Sequence, residues 1–258
     1  MTPTIWTFLI VCPLVFIAGF VDSVAGGGGV ISLPAYLLAG IPMKFAAGTN
    51  KLANGFGTAL ASYRYARSGN IEWVAAIPAA IFALIGSALG TKLAVYLPDR
   101  VLEIIMLTAL PIVAIVVFFS KGFGDREKPP KPRNSVIALA SLIGVAIGFY
   151  DGLIGPGTGT FLTLAFSALI GFSLLRSAGC ARMANLASNV ASLIVFLING
   201  KVLFSVGIPA IASSMLGNYF GSKYAIKGGS SKIRLVMFIV LALLFIRFAL
   251  KFLKVIDF

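Results

Sequence analysis

Of the eight acidic residues, Glu72, Asp99, Glu103, Asp125, Glu127 and Asp257 sit in polar stretches or at the ends of apolar runs. Asp22 and Asp151 differ: each closes an apolar run and directly precedes a glycine-rich break. A carboxylate at the centre of a membrane-spanning helix costs about 2.5–3.5 kcal/mol on insertion scales, and more if isolated. It must therefore be paired, hydrogen-bonded or reached by water. Two roles stay open for each: capping the segment that follows, or carrying a proton or a cation through a transport cycle.

The breaks are Gly26-Gly27-Gly28-Gly29 and Gly155-Pro156-Gly157-Thr158-Gly159. Glycine brings bare amides close to a ligand, and amides at the start of a helix form an anion site reinforced by the helix dipole. Close helix packing through small residues competes with that reading. A cation follows each break. Lys51, Asn54 and Thr58 recur at i, i+3 and i+7, as do Arg182, Asn185 and Asn189. Lys51 lies about 10 Å deep in its segment at 1.5 Å per residue, and Arg182 is similarly placed. One cation per polar stripe suits the wall of an anion cavity, with lysine a point charge and arginine a planar fork for oxyanions. Salt bridges to Asp22 and Asp151, or hydrogen bonds between helices, would also satisfy these groups.

The elements that must position these residues are helices in a bilayer. The 258 residues are 59% hydrophobic and 11% charged, against about 25% charged in soluble domains, and the mean hydropathy is +1.01. Ten apolar segments follow from the Gly, Pro and charge punctuation: 4–21, 30–40, 44–66, 71–97, 101–119, 135–150, 159–171, 174–198, 202–225 and 233–253. A crossing needs about 20 residues, so 30–40 and 159–171 read as half-helices or strongly tilted helices beside a discontinuity, and about eight to ten segments meet the membrane. The first run lacks a basic n-region and a small-residue cleavage site and reads as a retained helix.

Several functions are excluded. No polar segment is long enough for a soluble domain, and no GxxxxGK[ST] phosphate loop occurs, which removes an ATPase. The chain has no histidine and two cysteines, Cys12 and Cys180, both in apolar runs. Zinc, haem and His-based catalysis are not expected, and neither is any cofactor, bound metal or enzymatic activity. The net charge of +13 sits at segment ends, where basic residues fix orientation and meet lipid headgroups; nucleic acid is not an expected partner.

The chain is also duplicated. The stretch from Gly19 to Gly28 aligns with that from Gly148 to Gly157, and Ala47 to Asn54 aligns with Ala178 to Asn185. Gly69, Pro78, Gly86, Gly90 and Lys92 then face Gly200, Pro209, Gly217, Gly221 and Lys223. Residues 1–120 and 135–258 form two transmembrane repeats around a polar, basic linker at 121–134. With the N-terminus outside and an odd number of net crossings per half, Arg64, Arg67, the linker, Arg176 and the basic cluster at 223–234 fall inside. Lys44, Lys92, Arg100, Lys201, Lys251 and Lys254 then fall outside. That distribution favours inverted repeats. The expected fold is an all-α integral membrane protein of two homologous halves, each beginning with a broken helix.

On these residues the chain resembles the TauE/SafE family of sulfite and organosulfonate exporters. The motifs are GFVDSVAGGGGVISLPAYLLAGIPMKFAAGTNKLANGFGT and its echo GFYDGLIGPGTGTFLTLAFSALIGFSLLRSAGCARMANLASN. The resemblance implies a multi-pass transporter of the bacterial inner membrane that exports sulfite, sulfoacetate or a related small anion. The expected substrate contacts are Lys51, Asn54, Arg182, Asn185 and the break residues Gly26, Gly27, Gly28, Gly29, Gly155, Gly157, Thr158 and Gly159, with Asp22 and Asp151 as proton-coupling residues. The second half carries Cys180-Ala181 in place of Thr49-Asn50, so the cavity is expected to be asymmetric. The expected partners are the small anion and the lipid bilayer, with a homodimer left open. A permease or facilitator for another anion or a metal ion is the alternative function, and a membrane scaffold is a remote third.

Overall fold

A computed structural model describes residues 3–105, 108, 129 and 131–252. Most of the expected segment 101–119, most of the linker 121–134, and Lys254 in the tail lie outside those residues. The described chain is built of α-helices and their connections, with no β-strand among the described residues. Helix α1 (Ile5–Ala25) starts from a capping box between Thr4 and Thr7 and ends at Gly26, whose φ of 85° is left-handed. The short α2 (Gly29–Leu38) follows at once, then α3 (Met43–Arg67) and α4 (Trp73–Tyr96). The second half repeats the series with α5 (Arg133–Leu153), α6 (Thr158–Ala165, extended by a π-helical turn at Phe166–Ile170), α7 (Leu174–Ile198) and α8 (Phe204–Phe252). Gly229 interrupts α8 with non-helical torsions.

Four of these helices, α1, α4, α5 and α7, are long and apolar enough to cross a membrane. The two helices after the breaks are not: α2 has 10 residues, or about 15 Å at the helical rise. The half-helices expected at 30–40 and 159–171 are therefore present as α2 and as α6 with its π turn. Packing of Gly28 against Ala18 and Asp22 turns α2 back along α1, where Leu33 and Tyr36 join Val11 and Val15 in one apolar cluster.

The main packing runs between the halves. Along α4 and α5, Gly144, Gly148 and Gly152 rest on Ala79, Ala83 and Ser87, while Gly86 and Gly90 rest on Val145, Phe149 and Leu153. Any Cβ at these glycines would strike the opposing backbone, the small-residue contact by which helices associate in lipid. The same pattern joins α1 to α8: Gly217 and Gly221 rest on Phe16 and Phe20, and Gly19 rests on Ser214. The contacts of Gly86 and Gly90 thus have their images at Gly217 and Gly221, as the sequence repeat requires.

Helices α3 and α7 run antiparallel. Gly48, near the start of α3, abuts Phe196 in the last turn of α7 and Lys201 beyond its end. Gly179, near the start of α7, abuts Asn70 and Ile71 beyond the end of α3. Between them Asn189 Nδ2 donates to Thr58 Oγ1 at 3.4 Å. The opposite directions of α3 and α7, with matching glycine contacts in the two halves, are compatible with inverted repeats.

Candidate functional site

The two breaks cross in the middle of this arrangement. Gly26 lies against Gly159, the Thr160 amide donates to Gly26 O at 3.2 Å, and Thr160 Oγ1 donates to Ala25 O at 2.8 Å. Gly29 packs on Pro156. Gly26 at φ 85° and Gly157 at φ 82° are left-handed, a conformation that disfavours any residue with a Cβ. Here it turns one helix sharply into the next and lets two backbones touch.

Each buried carboxylate is held by the cation of the other half. Lys51 Nζ lies 2.6 Å from Asp151 Oδ2. Ser188 Oγ donates to the same oxygen, and Thr158 Oγ1 lies 2.7 Å from Asp151 Oδ1. Arg182 Nη1 donates to Asp22 Oδ2 at 2.9 Å and to Asp22 O at 2.6 Å. The four residues are 2–8% exposed, except Arg182, which is wholly buried. The chain leaves this depth electrically balanced, as burial of charge demands. The pairs are not equivalent: Thr158 and Ser188, which serve Asp151, correspond in the repeat to Gly29 and Gly57.

A pocket opens beside the Lys51–Asp151 pair. Of the residues selected from sequence, Asp22, Gly29, Lys51, Asn54, Asp151, Gly155, Thr158, Gly159 and Asn185 line it. Gly26, Gly27, Gly28, Gly157 and Arg182 do not; the structure places them around the crossing of the breaks. Several amides of the breaks are already used. Those of Val30, Ile31 and Ser32 donate to Gly27 and Gly28 carbonyls, and that of Thr158 donates to Gly155. Gly29 and Gly159, both in the pocket wall, have amides without a backbone partner among the described residues.

Arg182 is buried against the backbone of Gly159, where a Cβ would collide with Nη2. Its Nε and Nη2 have no hydrogen-bond partner among the described residues.

Asn50, Asn189 and Ser188 were not among the selected contacts. Asn50 lines the pocket and accepts from Asn54 Nδ2 at 3.1 Å. Asn189 also lines it and donates to Asn185 Oδ1 at 3.2 Å. Asn50 and Ser188 both lie one helical turn from a selected asparagine, a signal that helix spacing alone carries. Comparison of the repeats hides them, because their counterparts are Ala181 and Gly57. A second polar seam backs the site: Thr91 Oγ1 donates to Gly152 O at 3.0 Å, and Ser87, Thr91 and Ser192 form a hydroxyl chain at 2.6–2.8 Å.

Comparison with known proteins follows this geometry. A family model described as Sulfite exporter TauE/SafE matches residues 11–248. The chain is 40% identical over 232 residues to a Sinorhizobium protein named Probable membrane transporter protein ORF9, covering 90% of this chain and 88% of that one. It is 36% identical over 219 residues to a Haemophilus influenzae protein named Probable membrane transporter protein, covering 85% of each. With Escherichia coli K12 Probable membrane transporter protein YfcA it shares 31% identity over 228 residues, covering 88% of this chain and 84% of that one. No solved structure matches.

Proposed function

The chain belongs to the TauE/SafE family of multi-pass membrane transporters, and from that premise we propose that it exports a small sulfur-containing anion across the inner membrane. Sulfite, sulfoacetate and related organosulfonates are the substrates proposed, and alternating access coupled to protons is the mechanism. The observation that carries the reading is the pocket at the crossing of the breaks, where Lys51 is the one cation among the described residues of the wall and Asp151 holds it.

An anion entering this pocket competes with Asp151 for Lys51. Protonating Asp151 removes the competitor and frees the ammonium, so proton and anion favour each other's binding by ordinary linkage. The amides of Asn54 and Asn185 and the backbone N–H groups of Gly29 and Gly159 supply neutral donors for the remaining oxygens. Those helix-start amides carry partial positive charge toward the pocket. The reversed directions of α3 and α7 support inverted repeats, and the positive-inside distribution of loop charges supports both termini outside.

Purified protein in liposomes tests the proposal. Tracer flux of sulfite or sulfoacetate should exceed that of protein-free vesicles, saturate, and accelerate with an imposed pH gradient. Asp151→Asn and Asp22→Asn, measured separately, should each reveal whether that carboxylate carries the pH response. Absence of flux for both anions would overturn the substrate; a flux indifferent to pH in the unaltered protein would overturn the coupling and leave a facilitator.

A further inference from the structure

Asp22 and Asp151 occupy matching positions in the repeats, yet their surroundings treat a proton differently. Asp22 is faced by donors only, Arg182 Nη1 at 2.9 Å and the Gly28 amide. Neither can turn round and accept, since a guanidinium and a backbone N–H only donate. A proton on Asp22 would find no acceptor among the described residues.

The two oxygens of Asp151 are unlike. Oδ2 is met by Lys51 Nζ at 2.6 Å and by the Ser188 hydroxyl. Oδ1 is met by the Thr158 hydroxyl at 2.7 Å. A hydroxyl both donates and accepts, and Thr158 Oγ1 stands at 2.7 Å from a second acceptor, the Gly155 carbonyl. Both distances suit an O–H···O bond, but the single hydrogen serves only one of them at a time. With Asp151 ionised the hydrogen belongs on Oδ1, because a bond to a carboxylate is about twice as strong as one to a neutral oxygen. With a proton on Oδ1 the direction reverses: the carboxyl O–H donates to Thr158 Oγ1, and Thr158 donates to Gly155 O. Only hydrogens move.

The second break builds this arrangement. Gly155 and Gly157, both left-handed, turn the chain so that Thr158, the first residue of α6, faces back to the end of α5. Its counterpart in the first break is Gly29, which has no hydroxyl to offer Asp22.

We infer that Thr158 is a hydroxyl switch that satisfies Asp151 both with and without a proton, so that Asp151 carries the proton and Asp22 is a fixed counter-ion of Arg182. This deepens the proton-coupled reading and rests on it. A proton arriving through the pocket bonds to Oδ1 and cancels the charge of Asp151. The Thr158 hydrogen rotates from Oδ1 to Gly155 O, no bond to it breaking, and Ser188 keeps its hydrogen on Oδ2. Lys51 is then free for the anion. The charged and titratable groups facing Asp151 are Lys51 from α3, Asp22 from α1 with Arg182 of α7 behind it, and Tyr150 from α5 itself. The Tyr150 hydroxyl is engaged with Pro156 O at 2.6 Å. From α4, Thr91 brings a hydroxyl to the neighbouring Gly152 carbonyl.

Infrared difference spectra between acid and neutral pH, taken on purified protein in lipid without substrate, test the switch. Asp151→Asn should remove one protonated-carboxyl band and so assign it. Should that variant fail to accumulate, Asp151→Asn combined with Lys51→Met, free of the orphaned ammonium, makes the same assignment. Thr158→Val keeps the side-chain shape and drops the hydroxyl. It should move the assigned band to higher frequency, because the carboxyl hydrogen has lost its acceptor. It should also raise the titration midpoint by about one pH unit, because the ionised form loses the stronger bond. Thr158→Ser should restore both. If removing Asp151 removes no band, the titration lies on another carboxylate and the assignment is overturned. A Thr158→Val band and midpoint equal to those of the unaltered protein, or a change that Thr158→Ser does not reverse, overturns the switch. A switching Asp151 in a protein that moves neither sulfite nor sulfoacetate upholds the switch and rejects only the substrate. Flux driven by a pH gradient with an inert Thr158 rejects the switch alone.

Discussion

Asp151 is the most heavily contacted titratable group of the site, shared by Lys51, Ser188 and Thr158. Asp151→Asn leaves the lysine ammonium buried without a counter-ion, which costs about 3–5 kcal/mol for a buried pair broken from one side. Adding Lys51→Met removes the orphaned charge, so the double variant should recover most of the lost thermal stability in detergent while remaining inactive in flux. A double variant no more stable than Asp151→Asn alone would mean that the pair is not the source of the loss. Arg182→Lys tests the guanidinium: both bonds to Asp22 leave from Nη1, which an ammonium can imitate, but lysine gives up the Nε and Nη2 donors that find no partner among the described residues. Flux should fall by about tenfold or more, the value of a charge-assisted bond or two. Arg67→Lys, at the C-terminal end of α3 beside Tyr63, should change flux little. Equal losses would remove Arg182 from the proposed site. At this scale the sequence exposed the four charges, because charge inside an apolar run is costly enough to be conspicuous. It did not expose who pairs with whom: the cross-repeat pairing depends on a helix crossing that hydropathy does not encode. Asn50 and Ser188 stayed hidden because small or apolar residues occupy their counterparts.

Glycine plays two separable parts in the elements. Gly40 has φ 77° with open space where a Cβ would stand, whereas Gly26 has φ 85° and the Gly159 backbone in that space. Gly40→Ala therefore carries only the left-handed penalty, about 1–2 kcal/mol, and should fold and transport with a lowered melting temperature. Gly26→Ala adds a clash between two backbones that cannot move apart without opening the crossing, and should not accumulate as a monodisperse protein. Similar melting temperatures for the two variants would show that the breaks do not depend on close contact. Segment length and the glycine runs made the short helices legible beforehand, since runs of 11 and 13 residues, at 30–40 and 159–171, are too short to cross. The segment expected at 44–66 is present as α3 with its 25 residues, although its polar stripe lowers its apolarity below that of the four spanning helices. Hydropathy was silent on the π turn at Phe166–Ile170, a local hydrogen-bond shift without a compositional mark.

At the scale of the whole molecule, the repeat was visible in aligned Gly, Pro, Asp and Asn, but the manner in which the copies join was not. Each first helix buries its glycine face against the fourth helix of the other copy, and each buried cation finds its carboxylate there. A half released from its partner would expose that face and set an unpaired lysine or arginine, and an unpaired aspartate, in hydrocarbon. Each such charge costs several kcal/mol. Cutting the chain between residues 120 and 121 should accordingly give fragments that fail to accumulate singly but co-purify and restore flux when expressed together. The symmetry admits one escape. Two copies of the first half can approximate the whole, with Lys51 of one facing Asp22 of the other, so any single fragment that does survive should do so as an antiparallel dimer. Size-exclusion chromatography with light scattering distinguishes these outcomes, and a stable, folded monomeric half would contradict the interlocked arrangement.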